Sequence, residues 1–133
     1  MFPVTTFFAA LSAFMLVALS VNVIRTRQRT RTIIGDGGNE IMQRATRAQA
    51  NFSEYVPMAL IMMALLEAAG TRSWVLVVLG LLLLAGRASH AYSLLVHEVK
   101  YEGASLNERI KFRKAGMIAT FFVIVVEGLL LLA

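Results

Sequence analysis

Long apolar runs alternate with short charged stretches along this chain. Val4 to Ile24, Ala48 to Ala69, Trp74 to about Val96 and Met117 to Ala133 are each close to the ~20 residues a helix needs to cross ~30 Å of hydrocarbon. The pattern predicts four membrane-spanning helices, at about 4–24, 48–69, 74–96 and 117–133. The breaks agree. Gly35-Asp36-Gly37-Gly38-Asn39 is a dense loop signal, and Asn39 is placed to cap a helix that starts near Glu40 and continues into the second run. Gly70 suits a left-handed cap, with Thr71 or Ser73 capping the third helix. Gly103 breaks the chain again, and Ser105-Leu106-Asn107-Glu108 fits a capping box, so the fourth helix should begin well before the bilayer. No repeat, low-complexity tract or linker divides the chain, and residues 1–133 read as one all-α domain, an integral membrane four-helix bundle.

Composition supports a lipid environment. Of the 133 residues, 58% are hydrophobic and only 16% charged, with a mean hydropathy of +0.70, too apolar for a small domain with a wetted surface. The first run has no basic residue before it and no small-residue cleavage site after it, so it reads as a retained helix rather than a signal peptide. The net charge of +5 is a topology signal. Arg25, Arg27, Arg29, Arg31, Arg44 and Arg47 cluster around the first connection, and Lys100, Arg109, Lys111, Arg113 and Lys114 around the last, whereas the middle connection holds only Arg72. Both basic loops are expected in the cytosol, and both termini on the opposite side. Arg25 to Arg31 suit anionic lipid headgroups, and nucleic acid is a poor reading of this charge. Without cysteine the chain has no disulfide, thiolate metal site or cysteine nucleophile, so thiol chemistry would need a thiol from a substrate. The seven methionines suit packing, because no His or Met spacing repeats as a metal-ligand set.

The second run admits groups that lipid should reject. At 100° per residue Glu40, Arg44, Arg47, Asn51 and Glu54 fall within an arc of roughly 80°. The same line continues through Met58 and Leu65, so a site here is charged near the cytosol and apolar deeper in. On the third helix Arg87, His90, Leu94 and His97 share a second stripe. An unpaired guanidinium at that depth is costly, which predicts that Arg87 and Glu54 pair, or share a ligand, across two helices. Arg109, Arg113 and Lys114 join them from the start of the fourth helix. Glu67 and Glu127 look separate, as interfacial or structural carboxylates within reach of water or Arg72, and His97 reads as a solvated residue at the membrane edge. Pro57 frees the carbonyl of Ser53, and a bend there could widen a cavity.

These residues carry a resemblance. Arg44-x-x-Arg47-x-x-x-Asn51-x-x-Glu54-x-x-Pro57, Gly86-Arg87-x-x-His90 and Arg113-x-x-Gly116, in this order on a four-span frame, are similar to the membrane-associated proteins in eicosanoid and glutathione metabolism, the MAPEG family. The segment Gly35 to Asn39 resembles its bacterial branch. The resemblance implies a homotrimer in a bacterial inner membrane, with glutathione as co-substrate, no metal, and a binding cleft between subunits at the cytosolic half. By motif position Arg44, Arg47, Asn51, Glu54, Arg87 and His90 would bind glutathione, Arg113 would stabilise its thiolate, and Arg109 is the competitor for that role. The implied activity is transfer of glutathione to hydrophobic electrophiles, with glutathione-dependent reduction of lipid hydroperoxides as a companion. The chain also departs from better-known members. Leu94 stands where several carry a tyrosine, and Gln49 and Ala50 where some eicosanoid enzymes have His and Arg, which argues against prostaglandin or leukotriene synthesis. The alternative is a lipid-binding or adaptor protein of the same fold without turnover. A small channel fits less well, because no polar face runs through both halves of the spans.

Overall fold

The computed structural model describes residues 2–133 and is a four-helix bundle. Helix α1 is Pro3–Thr30 and α2 is Glu40–Ala68. Helix α3 runs Ser73–Lys100 and includes a π-helical turn at Ser93–His97, and α4 is Leu106–Leu132. There are no strands among the described residues. Helices α1, α3 and α4 are long and apolar enough to cross a membrane, which puts the chain in a lipid bilayer. Helix α2, with 29 residues, is about 43 Å long, enough for a fourth crossing. It retains Arg47, Glu54 and Glu67 in the stretch where the others are apolar.

Most of the expected punctuation is present. The Asn39 Oδ1 accepts the Met42 N–H at 3.1 Å, satisfying one of the orphan donors of a helix start. Gly70, at φ +84°, ends α2 by donating to the Glu67 carbonyl while Thr71 N–H returns to Leu66, a left-handed closure that glycine adopts without a Cβ clash. Neither Thr71 nor Ser73 caps α3; Arg72 takes the cap position and supplies no side-chain bond. At α4 the Ser105 Oγ accepts the Glu108 N–H at 3.4 Å, but the Glu108 carboxylate pairs with Lys111 at 2.6 Å and leaves the capping box half formed.

Helix ends also explain Glu67. Its two carboxylate oxygens accept the N–H groups of Val4 and Thr5 at 2.9 and 2.8 Å, so an anion from the end of α2 closes the positive start of α1. Glu67 is therefore structural and does not reach for Arg72. Glu127 differs from its expected watery setting, because α4 turns it inward with Gly116, Thr120 and Val123 and it is fully buried, both oxygens without a partner among the described residues.

Two larger apolar cores hold the bundle, beside a small third cluster of Val23, Met42 and Ala45. One, around Phe8, Met63, Leu66, Leu76, Leu83 and Val123, fills the half near the short α2–α3 turn. The other, around Leu19, Ala48, Phe52, Val56, Ala91 and Leu94, lies toward the basic loops. Helices α3 and α4 meet at backbone contact. A Cβ on Gly116 would stand 2.4 Å from the Gly86 carbonyl oxygen and 2.9 Å from the His90 nitrogen. Only glycine permits this approach, which sets α4 against the stripe that carries Arg87 and His90.

Candidate functional site

The polar residues separate into an enclosed group and an open one. In the enclosed group Arg87 is 1% exposed. Its Nη1 donates to the Asn51 Oδ1, and its Nη2 donates to the Gly116 carbonyl at 3.1 Å and lies 3.5 Å from the Met117 sulfur. Its charge also faces the Tyr55 ring, 5.6 Å from the centroid, a cation–π contact. The expected direct pair with Glu54 is not formed. Asn51 and Glu54 are three residues apart on α2, and the amide is the one turned into the bundle, while Glu54 faces outward and is exposed. Arg87 thus ties α2, α3 and α4 together, with its ligand-accessible edge closed off.

The open group lies at the basic end. Arg44 on α2 donates through Nη2 to Glu40 one turn earlier and through Nη1 to the Glu98 Oε2 of α3 at 3.1 Å. The other Glu98 oxygen accepts the Ser93 hydroxyl at 3.0 Å and sits 3.3 Å from the Arg113 Nε of α4. One carboxylate, 5% exposed, therefore joins three helices. Around it Glu40, Gln43, Arg44, Arg47, Leu94 and Arg113 line a cavity of about 240 Å³. Arg47 and Glu54 extend the group along the outer face of α2 as a pair at 3.6 Å, with side chains 61% and 48% exposed. At that exposure the pair contributes little to stability, and both groups are available to a ligand or a neighbouring chain.

Arg113 and Arg109 sit in different surroundings. It lines the cavity beside Arg44, it is held only through Nε, and both of its Nη groups are free among the described residues. Arg109, one turn closer to the loop, is outside the cavity lining, and its buried Nε has no partner among the described residues. His90 is 5% exposed and packs against the Gly86–Gly116 crossing. His97 is 4% exposed, not solvated. Its Nε2 donates to the Glu108 carbonyl at 2.9 Å, and its ring packs on Tyr101 and Phe112, holding the start of α4 against the end of α3. Gln49 donates to the Ser20 hydroxyl at 2.9 Å and so ties α2 to α1.

Glu98 is the central residue that sequence reasoning passed over. A step of three from the stripe Arg87, His90, Leu94 reaches His97, whereas a step of four lands on Glu98, the carboxylate that the structure sets among Arg44 and Arg113. The π turn at Ser93–His97 adds a residue to this stretch, and such insertions recur at functional sites.

A second hollow, about 260 Å³, opens beside Pro57 between α1 and α2, lined by Ser12, Leu16, Phe52, Val56 and Leu60 among others. It is almost wholly apolar and lies where the proline leaves the Ser53 carbonyl without its helical donor.

Comparison with known proteins agrees with this architecture. The chain is 34% identical over 119 residues to the inner membrane protein YecN of Escherichia coli strain K12, a match that covers 89% of this chain and 82% of the relative. The same protein from Escherichia coli O6:H1 matches to the same extent. No solved structure matches. The MAPEG family profile matches residues 5–133, nearly the whole chain, and this protein belongs to the MAPEG family.

Proposed function

We propose that this chain is a membrane-bound glutathione transferase of the inner membrane, with both basic loops in the cytosol. The observation that carries the reading is the Arg113 guanidinium, anchored by Nε at the wall of a 240 Å³ cavity with its Nη edge free. A thiol with pKa near ~8.5 is only a few per cent ionised at pH 7, and each unit by which a guanidinium lowers that value gives about tenfold more thiolate. In the proposed reaction the thiol proton leaves to water, and the thiolate sulfur attacks an electrophilic carbon. The new C–S bond forms as the leaving group departs with its electron pair. With a hydroperoxide as acceptor, two glutathione molecules supply two electrons and two protons, the O–O bond breaks to leave an alcohol and water, and the two sulfurs join as a disulfide.

Arg44, Arg47 and Glu54 offer donors and an acceptor for the carboxylates and amino group of the tripeptide, and the enclosed Asn51 has only its amide NH2 left to give, because its oxygen accepts from Arg87. Arg87 acts on this group indirectly, by fixing Asn51, and His90 by packing the α3–α4 crossing that sets Arg113. The outward Arg47–Glu54 pair on a bundle in lipid favours a neighbouring subunit against α2, and we assign the active form as a homotrimer. A lipid-soluble electrophile then reaches the thiolate from the bilayer, so two reactants of opposite solubility meet at the membrane edge.

The apolar hollow beside Pro57 favours one second reading, a lipid-binding adaptor without turnover. The test is purified protein in lipid nanodiscs, titrated with glutathione while thiolate absorbance is followed, then given chlorodinitrobenzene as electrophile. A glutathione-dependent rise in thiolate followed by conjugation is expected. Glutathione binding with no turnover of any electrophile selects the adaptor, and absence of glutathione binding refutes both assignments of this site to glutathione.

A further inference from the structure

The carboxylate of Glu98 has a position that binding of glutathione alone does not require. It is 5% exposed, and its three contacts come from three places: Arg44 on α2, Ser93 one π turn earlier on α3, and Arg113 on α4. Arg44 already has Glu40 as a second anion, whereas Glu98 is the one carboxylate held by Arg113 among the described residues. The contact uses Nε, the inner edge of the guanidinium. Nε–H and one Nη–H share an edge of the planar guanidinium, so an ion pair made at Nε leaves the outer Nη free to meet a ligand.

We infer that Glu98 is a positioning residue which anchors Arg113 through Nε, turns its Nη edge toward the substrate thiol, and by its own negative charge sets how far that thiol is acidified. The inference rests on the proposed glutathione reading of the site and goes beyond it by naming what tunes Arg113. Ser93 is the trim on that setting: its hydroxyl donates to the same Oε1 that faces Arg113 and withdraws part of the oxygen's acceptor strength. The charged groups that surround Glu98 are Glu40, Arg44 and Arg47 from α2 and Arg113 from α4.

Two substitutions separate anchoring from charge. Glu98→Gln keeps one oxygen for Arg113 and Ser93, turns its amide nitrogen toward Arg44, which retains Glu40, and removes the negative charge. The apparent pKa of bound glutathione should fall by about one unit, close to tenfold more thiolate below that pKa. Glu98→Ala removes the anchor as well, and kcat should drop at least about tenfold, in the range seen when a charge-stabilising donor is misplaced, while the KM for glutathione changes much less. Ser93→Ala, a small change that leaves every charge in place, should raise the thiol pKa slightly, opposite in sign to Glu98→Gln, and it keeps the idea testable if either Glu98 variant fails to fold.

The experiment is a pH titration of thiolate absorbance with glutathione, alongside kcat and KM for chlorodinitrobenzene, on the wild-type protein and the three variants in nanodiscs. Opposite pKa shifts for Glu98→Gln and Ser93→Ala, with kcat lost far more in Glu98→Ala than in Glu98→Gln, support the inference. If the wild type binds and ionises glutathione but the pH profiles of all variants coincide, Glu98 is only structural and the inference fails while the transferase reading stands. If the wild type does not bind glutathione, both fall together.

Discussion

Replacing Gly116 with alanine puts one methyl group where two helix backbones touch. The added Cβ would lie 2.4 Å from the Gly86 carbonyl oxygen, 2.9 Å from the His90 nitrogen and 3.0 Å from the His90 Cβ. The first two are backbone atoms, which cannot swing aside as a flexible side chain would. Ordinary contact needs α3 and α4 to separate locally by about 1 Å. Overpacking of a tight core costs about 1–3 kcal/mol. Here the separation also lengthens the bond from Arg87 to the Gly116 carbonyl, 3.1 Å in the wild type, at a site where a hydrogen bond to a charged group contributes about 1.5–3 kcal/mol. The expected loss is therefore at the upper end of the overpacking range. Activity should fall with it, because Arg113 lies one turn before Gly116 on the same helix and moves with the crossing. Gly128→Ala is the control: its Cβ would meet nothing within 4 Å, and helix propensity alone favours alanine. Thermal unfolding of both variants in one detergent, with glutathione turnover measured in parallel, decides the matter. A Gly116→Ala protein as stable as Gly128→Ala would refute the close crossing and the placement of Arg113 derived from it.

Arg113→Ala should reduce kcat far more than it weakens glutathione binding, whereas Arg47→Ala or Glu54→Ala should raise the KM for glutathione with smaller changes in kcat; equal effects from all three in steady-state assays would contradict these roles. Asn51→Leu leaves the buried Arg87 without its side-chain acceptor, and stability measured by thermal unfolding should fall by about 2–4 kcal/mol, since stranding a buried charge costs more than the bond itself. Glu67→Gln keeps one acceptor for the start of α1 but removes the charge that faces the helix dipole; amide exchange at Val4 and Thr5 should accelerate while exchange in the second core is unchanged.

The helices were legible because each is written twice, once as an apolar run and once in its boundaries. Asn39 and Gly70 mark the ends of α2 by local chemistry, and that chemistry does not depend on what packs against the helix. Side-chain partners were less legible, since they depend on rotations that periodicity fixes only to tens of degrees. Asn51 and Glu54 lie on one arc of α2, yet the structure turns the amide inward to Arg87 and leaves the carboxylate outside with Arg47. Glu67 was hidden for a different reason. Its partners are backbone N–H groups at the far end of the sequence, and a residue pattern contains no mark for an unsatisfied donor. The π turn at Ser93–His97 has no sequence signal that a regular helical period would detect, and it governs where both His97 and Glu98 point.

A formal charge count changes how the basic end should be understood. Sequence shows arginines converging on one region and suggests a positively charged receptor. The structure sets Arg44, Arg47 and Arg113 against Glu40, Glu54 and Glu98, three of each sign, so the open group carries no formal net charge. The surrounding loops, with Arg25 to Arg31, Arg109 and Lys114, still draw an anionic ligand to this end, but within the group it must compete with carboxylates already in place. Arg47 and Glu54 can yield readily, because their pair is exposed and loose. Glu98 cannot, because it is enclosed and held from three helices. Arg87 differs from the three arginines of the group in being buried one layer below without a carboxylate partner, where weak screening lets its field reach further than that of a surface arginine. Selectivity at this end thus comes from what each of these four arginines has already committed to: Arg44 is bridged between Glu40 and Glu98 with its remaining donors to give, Arg47 is exchangeable, Arg87 acts at a distance, and Arg113, paired only at Nε, presents free Nη donors to whatever enters the cavity.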